Sequence, residues 1–121
     1  MNIEELRDYC ISKPAVSESF PFDESTLVFK VAGKMFLLTD LVGPLSMNIK
    51  NTPEKVLEIR ELHPCVLPGY HMNKIHWITV LIDGSLADDL LKQWIDESYN
   101  LIVAGFSRKE KDLYAALLQA K

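Results

Sequence analysis

Between Thr26 and Lys50 the apolar residues recur at every second position, whereas on either side they recur at helical spacing. This change of period constrains the fold more than any other feature. A period of 2 sends alternate side chains to opposite faces of a strand, and a period of 3.6 builds a one-sided helix. In Thr26-Leu27-Val28-Phe29-Lys30-Val31, the side chains of Leu27, Phe29 and Val31 share one face. Ala32-Gly33 supplies a turn, with Gly33 free to take positive φ. Lys34-Met35-Phe36-Leu37-Leu38-Thr39 is the return strand, and Gly43-Pro44 marks the next turn. Leu45, Met47 and Ile49 then alternate inward against Ser46, Asn48 and Lys50 outward. The pattern predicts a three-stranded antiparallel meander. A short strand near residues 18–22 precedes it, and a strongly apolar strand over residues 75–82 follows, ended by Asp83-Gly84.

The flanks carry helix signals. Asn2 with Glu5 forms a capping-box pattern ahead of Ile3, Leu6 and Cys10, and Pro14 ends that helix. Thr52-Pro53 pairs an N-cap with proline at the first helical position, followed by Val56, Ile59 and Leu62 and a stop at Pro64. Ser85 with Asp88 is expected to cap the longest helix, whose apolar side holds Ala87, Leu90, Leu91, Trp94, Ile95 and Ile102. Ser107 with Glu110 opens the last helix, with Leu113, Tyr114, Leu117 and Leu118 expected to pack inward. Sustained strand–helix–strand alternation is absent, which argues against a parallel doubly wound sheet. The expected architecture is α+β: one two-layer domain over residues 1–121, an antiparallel sheet with helices on one face.

A chain of 121 residues can bury a core without disulfides or metal, and 48% hydrophobic with 25% charged residues is a globular balance. Cys10 and Cys65 are too few for a disulfide framework. The first residues are acidic without an apolar signal core, and no apolar run approaches the roughly 18 to 20 residues of a membrane span. A cytoplasmic, bacterial-type protein with reduced thiols and no membrane association is expected. The net charge of −4 is uneven: residues 1–25 carry −4, residues 26–82 carry +2 and residues 83–121 carry −2. Overall acidity opposes strong non-specific DNA binding, which depends on displacing counterions from phosphates, but leaves room for a local basic face.

Glycine-rich nucleotide loops, a Gly-x-Ser-x-Gly elbow, Cys-x-x-Cys and His-Glu-x-x-His are all missing, so no catalytic centre is recognised and a non-enzyme is expected. His63, Cys65, His71 and His76 are zinc-type donors, but their spacing matches no familiar site. Cys65 beside His71 could form a nucleophile pair, yet nothing supplies an orienting third group. No metal or cofactor is assigned. The segment Pro68-Gly69-Tyr70-His71-Met72-Asn73-Lys74 is a polar, aromatic loop feeding a core strand. It reads either as a functional loop or as a structural turn in which Tyr70 packs and His71 or Asn73 caps backbone groups. Trp77 shares a strand face with Ile75 and Thr79 and is expected in the core.

The lysines suggest a surface. If Gly33 closes a bulged turn so that Lys30 faces Lys34, then Lys30, Lys34 and Lys50 project from the face opposite Phe29, Met35 and Met47. Lys74 and His76 would join them, with Val28 and Phe36 interleaved. Such a face is either a platform for an anionic ligand or simply the solvated side of the sheet. Like charges directly opposed destabilise a sheet, so a ligand would account for them.

Phe20-Pro21-Phe22 precedes Val28-Phe29-Lys30-Val31, then come Gly33-Lys34-Met35-Phe36, Lys50 and Pro53. Pro68-Gly69-Tyr70-His71-Met72-Asn73-Lys74 leads into His76-Trp77, and Ser98-Tyr99 lies in the long helix. Together these segments resemble the MmcQ/YjbR family across nearly the whole chain. The resemblance implies a two-layer α+β fold similar to CyaY/frataxin and to type III secretion chaperones, and DNA binding through a double-wing motif. The expectation is a non-enzymatic DNA-binding protein. Lys30, Lys34, Lys50 and Lys74 would contact phosphates, and His71, Asn73 and His76 would make polar contacts. A protein-interaction or chaperone-like adaptor is the alternative, and a small-ligand site beside Tyr70, His71 and Trp77 is the third reading.

Overall fold

The computed structural model describes residues 1–70 and 72–120. Its elements are α1 (Ile3–Ile11), β1 (Val16–Ser19), β2 (Thr26–Val31), β3 (Lys34–Asp40), β4 (Ser46–Lys50), α2 (Pro53–Leu62), β5 (Val66–Pro68), β6 (Trp77–Leu81), α3 (Asp88–Ala104) and α4 (Arg108–Gln119). The strands form one antiparallel six-stranded sheet in the order β1-β2-β3-β4-β6-β5. The α+β architecture and the meander match the sequence expectation. The early strand lies at Val16–Ser19 rather than near residues 18–22, the late strand starts at Trp77 rather than residue 75, and β5 carried no recognised signal.

The main core lies between the sheet and α1, α2 and α3. Leu27, Phe29 and Val31 of β2, Leu37 of β3, Met47 and Ile49 of β4, and Ile78 and Val80 of β6 meet Leu6, Ile59, Trp94 and Ile95. The capping boxes at Asn2–Glu5 and Ser107–Glu110 form as expected, and Thr52 caps α2. Ser85 does not cap α3. Its amide and hydroxyl donate to Asp83, and the helix begins after Ala87 without a side-chain cap. Asp88 and Asp89 in its first turn complement the helix dipole instead. The inward packing expected of α4 also fails. Leu113, Leu117 and Leu118 are exposed, and Tyr114 alone is packed, against Phe106 with its hydroxyl at 3.0 Å from that of Tyr99.

Two irregularities shape the β2–β3 hairpin. Ala32 (φ 48°) and Gly33 (φ 83°) both adopt positive φ, as a tight two-residue hairpin demands. Val31 therefore pairs with Lys34 and Lys30 with Met35. The register then shifts, because Phe29 pairs with Leu37 and Phe36 is left as an extra residue. The bulge turns both Phe36 and Leu37 into the helix-side core, where Phe36 meets Tyr99 edge to face at 5.3 Å. Its carbonyl is claimed by Ser98 of α3, whose buried hydroxyl donates to Phe36 O at 2.6 Å and accepts from Lys50 N at 2.9 Å.

Removing the Ser98 hydroxyl strands a buried carbonyl and an N–H together. Ser98→Ala is expected to lower unfolding free energy by about 2 kcal/mol in urea titration. Burial also pushes Tyr9, whose hydroxyl donates to Asp96, and Cys10 up to about 12 from ordinary values of 10.0 and 9.0. Both groups are held neutral in the fold, so the stability they contribute is complete below about pH 9 and is lost as pH rises from there towards 12. Urea midpoints should fall over that window, and Tyr9→Phe should flatten part of the fall.

Candidate binding surface

The face of the sheet away from the helices is built row by row by the strand register. Paired residues in antiparallel strands share a face. Ser19, Val28, Leu38, Asn48, Thr79 and Leu67 therefore form a continuous row across all six strands. The neighbouring row holds Ser17, Lys30 and Met35, then Lys50 and Trp77. Val28, Leu38 and Trp77 are buried there as a second, smaller apolar cluster, flanked by Met35 and Met72. Trp77 is thus a core residue on this outer face, and Ile75, expected beside it, is exposed in the preceding turn. Met35 faces outward, opposite to expectation, because the bulge at Phe36 reverses the parity of β3.

The four lysines do not converge. Lys30 and Lys50 lie on the outer face, half-buried, and neither forms an ion pair among the described residues. Lys34 pairs with the core-facing Val31, so it points to the helix side, where its Nζ lies 3.5 Å from Glu110 of α4. The anticipated Lys30–Lys34 opposition is therefore absent. Phe36 does not interleave with the lysines, since it is in the main core. Lys74 is held by its own loop, its Nζ donating to Gly69 O at 3.0 Å.

The described residues of the loop between β5 and β6 make several bonds among themselves. Asn73 accepts from Ile75 N through its side chain and from Trp77 N through its carbonyl, which is the structural turn-capping role. His76 is half-buried, and its carbonyl accepts from Asn51 N. His71 lies outside the described residues. Gly69 N donates to Trp77 O at 3.1 Å, and a Cβ at Gly69 would sit 2.9 Å from Trp77 Cβ and O, so only glycine permits this approach. Tyr70 N donates to Thr79 Oγ1, whose hydroxyl in turn donates to Asn48 Oδ1. This chain of bonds fastens the loop to the sheet.

Across the face, the loop before β2 brings in Phe22. Asp23 organises that loop by accepting from the amides of Thr26 (2.6 Å) and Ser25 (3.0 Å), bonds that hold its carboxyl below the usual range. Phe22, Thr26, Leu38, Asn48, Tyr70 and Met72 line a cavity of about 260 Å³. Phe22 is 63% and Tyr70 71% exposed, high values for aromatic side chains bordering a cleft. Sequence reasoning placed Tyr70 near a ligand but missed Phe22, Thr26 and Asn48. The alternation of β4 did send Asn48 to this face, but the loop contacts that form the cavity are non-local.

Of the four zinc-type donors His71 lies outside the described residues, and among those described no three His, Cys, Asp or Glu side chains converge as metal ligands. His63 stacks edge-on against Trp94 on the helix side, and Cys65 is buried. No helix among the described residues is long and apolar enough to cross a membrane.

This geometry has known relatives. The YjbR family model matches residues 11–101. The "Uncharacterized protein YbdF" of Escherichia coli O157:H7 is 36% identical over 109 residues, covering 89% of both chains. The "Uncharacterized protein YjbR" of Escherichia coli strain K12 is 32% identical over 97% of this chain and 100% of its own. The crystal structure of Deinococcus radiodurans protein DR2400, a DUF419 domain, superposes with a TM-score of 0.86 at 42% identity, covering 93% of this chain and 87% of that one. A Pseudomonas syringae crystal structure gives 0.74 at 29% identity, covering 84% and 98%. By sequence along most of its length and by its fold, this chain belongs to the YjbR family.

Proposed function

We propose that this protein is a non-enzymatic binding module that takes single-stranded DNA on the outer face of its sheet. The observation that carries the reading is the pair of exposed aromatics, Phe22 and Tyr70, lining one cavity on a face that also bears Lys30 and Lys50, which form no ion pair among the described residues. Aromatic side chains stack on bases, and lysines attract the phosphates between them. A cavity of about 260 Å³ is below the usual range for whole drug-sized ligands, which suits a single ring system. Asn48 and Thr26 supply polar groups at its wall. Single strands are favoured over duplex because two lysines on a protein of net charge −4 are too few for the 6–10 phosphate contacts typical of duplex binders. This narrows the four-lysine surface expected from sequence to Lys30 and Lys50 and adds the aromatics.

A second reading, an adaptor for a protein partner, is favoured by α4, which has no buried residue and exposes Leu113, Leu117 and Leu118. A partner that survives nuclease treatment and is lost in the Leu113→Glu/Leu117→Glu variant would favour it.

Fluorescence anisotropy with labelled oligo-dT tests the main reading. Two phosphate contacts predict a log Kd against log salt slope of about 1.4 in magnitude. Tyr70→Ala should weaken binding by about 1–3 kcal/mol, and Lys50→Glu should flatten the slope. An absence of binding at low salt, or wild-type affinity in both variants, would overturn the proposal. The platform itself depends on Gly69: Gly69→Ala should destabilise the fold by about 1–3 kcal/mol and red-shift Trp77 emission as the loop is displaced.

A further inference from the structure

A larger cavity lies at the opposite side of the hairpin, where α1 approaches the sheet. It measures about 760 Å³ and is bounded by α1, the end of β1, the start of β2 and the β3–β4 loop. Its walls are chiefly apolar, with Ile3, Phe20, Leu27, Leu41 and Leu45 among them. Phe20 and Leu41 are each nearly half exposed at its rim. A volume of this size is within the range of small-molecule sites, and none of these residues belongs to the sheet-face cavity.

The charges on its lining decide what it would hold. Arg7 is neutralised within the wall, since its Nε and Nη2 donate to the two carboxylate oxygens of Glu18 at 2.8 and 2.6 Å. The amine of Met1 is occupied by Asp88 at 3.0 Å. Asp40 remains. Among the described residues its carboxylate accepts from Val42 N at 2.9 Å and has no cationic partner. An apolar cavity with one uncompensated carboxylate complements an apolar body that carries a positive charge. We infer that this cavity is a binding site for an amphipathic organic amine, its hydrocarbon part against Leu27, Leu41 and Leu45 and its ammonium at Asp40. The site is independent of the DNA reading.

The test uses n-hexylammonium, hexan-1-ol and hexanoate as probes of equal length, followed by amide chemical shifts of the full chain. Hexylammonium should give saturable shifts at Leu27, Asp40, Leu41 and Leu45, with a Kd about threefold tighter than that of hexanol, the size of an exposed ion pair. Each added methylene from butyl- to hexylammonium should tighten binding about two- to fourfold while space remains. Asp40→Asn should abolish the preference for the amine and leave hexanol affinity unchanged. Leu45→Trp, which fills the cavity, should weaken all three probes. The inference is overturned if no saturable shifts appear at these residues, if hexanoate binds as tightly as hexylammonium, or if Asp40→Asn keeps the preference.

Discussion

Ser98 stands where the two layers of the fold must agree. A bulge in β3 leaves the Phe36 carbonyl outside the regular ladder, and the last residue of β4 presents an amide to the same point. One hydroxyl from α3 satisfies both, fixing the long helix over the middle of the sheet. Without the bulge, Phe36 would face outward and Met35 inward, the parity that simple alternation predicts. The bulge therefore supplies the core with a large ring against Tyr99 and gives the outer face a flexible thioether beside Trp77. The placement of Lys30 and Lys34 on opposite sides follows from the same residue.

The sheet has two apolar faces of unequal size. The helix-side face packs against α1, α2 and α3, whereas the outer cluster of Val28, Leu38 and Trp77 is flanked by Met35 and by Met72 of the loop before β6. Polar bonds pin the loops on this face: Asp23 accepts from the amides of residues 25 and 26 within its own loop, and Tyr70 is tied through Thr79 to Asn48 across the sheet. Their short connections hold Phe22 and Tyr70 over the sheet without enclosing them.

Much of this was legible in the chain. The capping boxes at Asn2 and Ser107, the Thr52-Pro53 start and the alternation of Leu45 to Lys50 each rest on interactions within a few residues, and each appears as read. What sequence could not fix was mostly non-local. One miss was local: Ser85 loses its cap because Asp83, two residues away, accepts from both its amide and its hydroxyl. The leucines of α4 carry a helical spacing that resembles a buried stripe, yet the core is already filled by α3, so they remain outside. Lys34 and Lys74 had the right charge for a phosphate site, but Glu110, far along the chain, engages the first and the Gly69 carbonyl of its own loop engages the second.

The sheet's two borders also set how the molecule meets its neighbours. One border is β1, only four residues long, and the other is β5, three residues ending in Pro68, which has no amide hydrogen to offer. Neither presents a long row of free backbone groups to another chain. Lateral growth of the sheet from molecule to molecule is thereby discouraged.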